Sequence, residues 1–163
     1  GSIDATILDG AFSRKAKAKG FVTLADFSQA NLPMMNHLVA VRKSYLQRQP
    51  EFVENVLRAL VEGLAFTWSP KSKGAVLKSV MRRLRITELG LAEDGYQELL
   101  ARGGLEKKPH PSLAGVRNVQ RLMQSSNPRA GEIKLEEIVD RSIMRKLDDS
   151  GVIDRMYGVY LAK

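Results

Sequence analysis

Apolar side chains recur every three or four residues between Pro50 and Leu64, and this spacing constrains the fold more than any other feature of the chain. Pro50 suits the first position of a helix, and Glu51 and Glu54 lie in the first turn, where the helix dipole favours negative charge. We therefore predict a long helix that begins at Pro50. Its apolar members are Phe52, Val53, Val56, Leu57, Leu60, Val61 and Leu64.

The rest of the chain after this helix also has helical spacing. Ser69-Pro70 ends the long helix and begins another, which carries one apolar face formed by Val76, Leu77, Val80, Met81 and Leu84. Three more helices are predicted over 88–101, 113–124 and 141–149. Gly103-Gly104, Asn127-Pro128 and Gly151 supply their respective stops.

The first forty residues have a different pattern. Short apolar runs over 3–8 and 21–24 flank a segment over 11–19 that reads as a helix closed by Gly20. A third apolar run covers 38–41. Because a strand, a helix and a strand in this spacing are typical of an α/β unit, we predict a predominantly helical α/β fold with few short strands.

Composition narrows the class of protein. The chain has 163 residues, 44% of them hydrophobic, and a formal net charge of +8, which together favour a folded domain over a disordered one. No apolar stretch approaches the roughly 20 residues that a membrane span needs. Cysteine is absent, so disulfides, thiolate nucleophiles and cysteine-ligated zinc are excluded.

A basic stretch over 71–85 carries six positive charges and no acid, and the remainder of the chain contributes only +2. Such a patch suits either a nucleic acid or an acidic partner. It also suits a solvated helix face, and the absence of aromatic residues for base stacking favours that interpretation. The basic residues are Lys71, Lys73, Lys78, Arg82, Arg83 and Arg85.

Residues for catalysis or metal binding are sparse. The two histidines, His37 and His110, are far apart in sequence and lack the spacing of paired metal ligands. No phosphate-binding glycine motif and no G-x-S-x-G motif occurs. We therefore predict no enzymatic activity, no metal site and no cofactor.

One short segment suggests ligand binding. Asp9, Gly10, Ala11 and Phe12 follow a predicted strand and begin a predicted helix, and ligands in open α/β folds collect at such turns. Gly10 would let a ligand approach the backbone. Alternatively, Asp9 caps the helix and Phe12 fills the core, and from these residues alone we prefer that interpretation.

Five short sequence segments occur in a fixed order and together cover nearly all of the chain. In this order they resemble the C-terminal portion of periplasmic substrate-binding proteins of the nitrate, sulfonate and taurine transporter type, a group that includes thiamine-precursor-synthesis-like proteins. The segments are Asp4-Ala5 with 12–20, 36–46 with 50–53 and 57–63, Pro109-His110-Pro111-Ser112 with Gly115-Val116, 139–142, and Leu147 with 150–154.

The resemblance implies a fragment of a two-lobed (type II) periplasmic binding protein. Residues 1–30 would end the second lobe and residues 31–163 would form the C-terminal part of the first. The function implied is that of the solute-binding component of an ABC-type uptake transporter, which closes on a small solute and presents it to a permease. We expect the full-length protein to be periplasmic or extracytoplasmic, although the chain as given carries no signal peptide.

The resemblance also assigns site residues. Asp9, Gly10, Ala11 and Phe12 match the pocket loop, whereas Asn36 and His37 match the strand that re-enters the first lobe near the hinge. Small residues or proline are more usual at Asp9-Gly10. Because a carboxylate there would repel nitrate or a sulfonate, the expected solute is neutral or amine-bearing.

Two further expectations follow from the fragment interpretation. The ligand cleft would be incomplete, and helices that normally pack on missing strands would expose apolar surface. Since large exposed apolar patches tend to be buried by association, we expect self-association. The alternative function is a basic helical module that binds nucleic acid or an acidic partner through residues 71–85, although neither nucleic acid nor a membrane span is part of the favoured interpretation.

Overall fold

The computed structural model describes residues 3–8, 10–26, 30, 32–35, 37–101 and 104–162, with Ala11 described by its backbone alone. Contacts divide the chain into two compact units. The first unit comprises 1–29 and 67–106, and the second comprises 30–66 and 107–163. The division into lobes at residue 30 that the resemblance implies stays a prediction.

Helices are the only regular elements wherever the structure is described. Two short 3-10 helices, Pro70–Ser72 and Pro128–Glu132, accompany the α-helices. No described helix is both long enough and apolar enough to cross a membrane. In chain order the α-helices are α1 (Gly10–Ala18), α2 (Lys43–Arg48), α3 (Pro50–Trp68), α4 (Lys73–Leu84), α5 (Leu89–Leu100), α6 (Leu113–Gln124), α7 (Leu135–Ile138), α8 (Ser142–Asp149) and α9 (Val152–Leu161).

The predicted α/β fold is wrong for the residues that the structure describes. None of the three predicted strands, 3–8, 21–24 and 38–41, has regular structure among its described residues. Their apolar side chains face solvent: Ile7 is 93% exposed and Val22 is 82% exposed. An apolar run becomes a strand only when another strand satisfies its backbone N–H and C=O groups, and no described segment does so here. The described chain is therefore all-helical, and an assignment to a two-lobed α/β binding-protein fold is not supported.

The helix predictions fare better. The long helix begins at Pro50 as predicted, and α6 occupies the predicted range 113–124. Ser112 caps α6, since its hydroxyl accepts a hydrogen bond of 3.1 Å from the backbone N–H of Gly115. The sequence analysis missed α9, because Gly158 interrupts its pattern and Gly151, at φ 70°, separates it from α8 by a left-handed turn.

Packing in the first unit centres on α4 and α5. Val76 and Leu77 of α4 are buried with Ala92 and Tyr96 of α5. The Tyr96 hydroxyl donates a hydrogen bond of 3.0 Å to the backbone carbonyl of Thr67, so its polar atom is satisfied. Partly buried neighbours complete the cluster: Val80, Met81, Ile86 and Leu100.

The core of the second unit uses side chains from several helices. Tyr160 of α9 contacts α3 twice: its hydroxyl donates to Glu62 Oε1 at 2.9 Å, and its ring packs edge-on against Phe66 with centroids 5.8 Å apart. The Gln120 amide donates to the carbonyls of Ala130 and Ile133, which fastens α6 to the 3-10 helix after it. The buried apolar residues are Val53, Val61, Ala65, Val116, Ala130, Leu135, Met144, Leu147, Ile153 and Tyr157.

Two residues of α9 offer a matched test of this core. Ile153 is fully buried and Val159 is 76% exposed. Ile153→Ala should lower the free energy of unfolding by about 2–5 kcal/mol, because it removes buried methyl groups and leaves a cavity. Val159→Ala should change it by less than about 0.5 kcal/mol. Urea denaturation measures both, and equal effects would contradict this assignment of the core.

Candidate functional site

The first turn of α1 contains three of the residues that the sequence analysis singled out. Gly10 is the first residue of the helix and Ala11 the second. Phe12 is 45% exposed, so it does not fill the core as the alternative interpretation required. Asp9 and Asn36 lie outside the described residues. The turn therefore presents an aromatic ring to solvent at the start of the helix.

A carboxylate from α5 lies against this turn. A side chain on Gly10 would collide with the Glu98 carboxylate, which would then have to move. The Arg14 guanidinium donates to Glu98 Oε1 through Nη1 and to Asp94 Oδ2 through Nε, the latter at 3.3 Å. The hydrogen bond to Glu98 is the main cause that raises the pKa of Arg14. Glu98 is thereby held at the start of α1.

A third ion pair strengthens the attachment of α1 to α5. Lys15 Nζ lies 2.6 Å from Glu88 Oε1, just before α5 begins. This hydrogen bond lowers the pKa of Glu88 below its ordinary value of 4.5. All of these side chains are substantially exposed, so each pair contributes little to stability alone. Together they determine where α1 lies on α5.

The remaining predicted site residue is His37. It is exposed, has no regular secondary structure, and belongs to the second unit, whereas Gly10 to Phe12 belong to the first. The sequence analysis missed Glu98. Its position one turn after Asp94 places two carboxylates on one side of α5, but only the packing of α1 shows what they bind.

A second polar cluster lies in the second unit, where the segment before α6 meets α8 and α9. Asp148 accepts a hydrogen bond from Lys108 Nζ at 2.6 Å on one oxygen, and its other oxygen lies 2.9 Å from His110 Nε2. Lys108 Nζ also lies 3.0 Å from Asp154 Oδ2. The sequence analysis had assigned His110 to a loop and Asp148 to helix-end solvation, so it missed this cluster.

Charge pairing shifts the pKa values within the cluster. The Lys108 hydrogen bond, followed by that of His110, lowers the pKa of Asp148 below 3.8. The hydrogen bonds from Lys108 to Asp148 and Asp154 raise the pKa of Lys108 above 10.5. The carboxylate and the ammonium therefore both stay charged across the neutral range.

Tyr157 adds a buried hydroxyl to the same helix, α9. The hydroxyl oxygen is shielded from solvent and has no hydrogen-bond partner in the described chain. Burial raises the pKa of Tyr157 to about 12. Lys107 Nζ lies 5.8 Å from the centre of its ring, within the range of a cation–π contact. Within the described residues, no group of three or more histidines or carboxylates could hold a metal ion.

No protein-family model, curated protein or solved structure matches this chain.

The Asp148 cluster predicts a specific pH dependence of stability. Because its folded pKa is lowered, Asp148 stabilises the fold above pH 3.8, and this contribution is lost as the pH falls through the folded value. Asp148→Asn should therefore lower the urea midpoint at pH 7, and the difference from the unmodified chain should shrink as the pH falls below 3.8.

The neighbouring Asp149 is the control, since it is exposed and forms no ion pair with a described residue. Asp149→Asn should leave the urea midpoint at pH 7 nearly unchanged. If both variants shift the midpoint equally, the contacts of Asp148 with Lys108 and His110 do not stabilise the second unit.

Proposed function

We propose that this chain contributes to the solute-binding component of an uptake transporter. The ordered motifs from Asp4 to Asp154 support the proposal, and one observation carries it. The turn that the resemblance assigns to the ligand pocket exposes Phe12 and holds the Glu98 carboxylate against Gly10. Solute sites combine an apolar or aromatic surface with a few polar groups that orient the ligand, and this turn offers both.

The charge at this turn favours one class of solute. Arg14 binds Oε1 of Glu98, and no described residue donates a hydrogen bond to Oε2, which can therefore accept one from a solute. The Glu98 carboxylate would repel the negative charge of a sulfonate or nitrate. An amine or a neutral N–H donor could instead donate a hydrogen bond to it. The α1 turn thus supports the neutral or amine-bearing solute that the sequence analysis expected.

The proposal does not depend on a sheet. The α/β fold implied by the resemblance is wrong for the described residues, so the argument rests on the first turn of α1 alone. A solute bound at this turn would contact one protein surface, whereas the binding proteins that the sequence resembles enclose their solute between two lobes. We therefore expect modest affinity from this chain, which is the form to test.

Calorimetry with a panel of amines, pyrimidines and aromatic acids tests the proposal, with taurine and nitrate as anionic controls. We expect binding of at least one neutral or amine-bearing compound. Phe12→Ala should weaken that binding by about tenfold, because it removes the exposed ring from the turn. Phe21→Ala is the matched control: Phe21 is also exposed, lies after α1 ends, and should leave the affinity unchanged.

A second pair of variants examines the carboxylate. Glu98→Gln should weaken binding of an amine more than that of a neutral compound, since it removes the charge and keeps the shape. Asp94→Asn also disturbs the Arg14 ion pairing but leaves the α1 turn intact, so it should have little effect. Uniform failure of the panel to bind, or an unchanged affinity in Phe12→Ala, would refute the proposed function.

A further inference from the structure

Ion pairing in the first unit is unevenly distributed. The four acids at and within α5 all bind cations: Glu88 pairs with Lys15, Glu93 with Lys73, and both Asp94 and Glu98 with Arg14. The Lys73 pair has a distance of 2.9 Å from Nζ to Glu93 Oε1. These acidic residues therefore pair with cations of α1 and with Lys73, the first residue of α4.

Four cations near the end of α4 are left without such partners. Lys78, Arg82, Arg83 and Arg85 are exposed, and none forms an ion pair with any residue in the described ranges. We call these four residues the basic face. The sequence alone favoured a solvated helix surface here, but it could not show that the acids of α5 are committed elsewhere. The basic face is thus a concentration of uncompensated positive charge.

The backbone brings the charges of this surface together. Lys78 and Arg82 are one turn apart on the same side of α4, and Arg85 follows the helix end in a left-handed conformation at φ 54°. Gly74 lies on the same side one turn before Lys78, and a side chain added there would meet nothing within 4 Å. A large anionic surface can therefore approach the helix closely along this side.

The other side of α4 is already used. Val76 and Leu77 are buried against α5, and Val80 and Met81 pack on the same cluster. Because the apolar side of α4 faces the core, the helix cannot insert that side into a lipid surface as interfacial helices do. The basic face also lacks the buried aromatic centre typical of tight protein–protein contacts.

We propose that the basic face binds the phosphate backbone of double-stranded nucleic acid. Residues 70–87 contain no aromatic side chain on which the bases of a single strand could stack. They also contain no asparagine or glutamine to read adenine edges, and the contacts that we propose are those of lysine and arginine with phosphate oxygens, which carry no sequence information. Four exposed cations within eight residues match the repeated negative charge along a duplex.

Fluorescence anisotropy with a labelled DNA duplex of roughly 20 base pairs tests this inference on the full chain. With three to four phosphate contacts, the affinity should fall by about 40- to 150-fold between 50 and 200 mM salt. The triple variant Arg82→Glu, Arg83→Glu, Arg85→Glu should abolish binding. Glutamine at the same three positions is a milder change and should reduce the slope of log affinity against log salt by about 3. The circular dichroism spectrum of this variant shows whether its helices are retained.

The matched control makes the same charge change in the second unit. Arg117, Arg121 and Arg129 are exposed and form no ion pair with a described residue. Their replacement by glutamate should leave duplex binding largely intact, and an equal loss would show that net charge alone attracts DNA and would overturn the proposal. Equal or tighter binding of a single strand of the same length would also overturn it.

Two competitors address other polyanions. Polyglutamate and vesicles rich in phosphatidylserine, each at equal charge concentration, should displace the duplex poorly. Displacement by polyglutamate would instead assign the basic face to an acidic protein, and displacement by vesicles to a lipid surface. Solute binding and duplex binding are tested separately, because Phe12 is not part of the basic face.

Discussion

Backbone hydrogen bonding is the constraint on which the rest of this structure depends. A helix satisfies its N–H and C=O groups within one segment, whereas a strand requires a second segment. Every described element that carries a buried apolar residue is helical, and the apolar runs over 3–8, 21–24 and 38–41 stay exposed. Apolar content alone did not organise these runs, because the described chain offers them no hydrogen-bonding partner.

A small set of ion pairs on α5 then connects the two proposals. The pairs of Arg14 and Lys15 hold α1 on α5 and place the Glu98 carboxylate at the first turn of α1. The same pairs, with that of Lys73, use the acids of α5 and leave the cations at the end of α4 without an ion pair to any described residue. Each pair is exposed and weak. The ion pairs therefore influence where charge is concentrated on the surface more than they influence stability.

The candidate site could be predicted only as far as its residues are neighbours in sequence. Gly10 and Phe12 are two residues apart, and the helix that contains them was predicted from local signals alone. Glu98 is 84 residues from its partner Arg14, and Asp148 is 38 residues from His110, so no spacing rule links either pair. The resemblance grouped His37 with Phe12, and this grouping stays a prediction, since the two residues belong to different units.

Helices α1, α3, α4, α5, α6 and α8 could be predicted from local signals, because helical spacing, prolines, glycines and capping residues act over a few positions. The net charge and the absence of cysteine chemistry also follow directly from composition. Three outcomes required the folded structure: whether the apolar runs become strands, which carboxylate lies against Gly10, and which cations have no ion pair among the described residues. These outcomes depend on contacts between segments far apart in the chain, and the energy of such contacts is not encoded in local spacing.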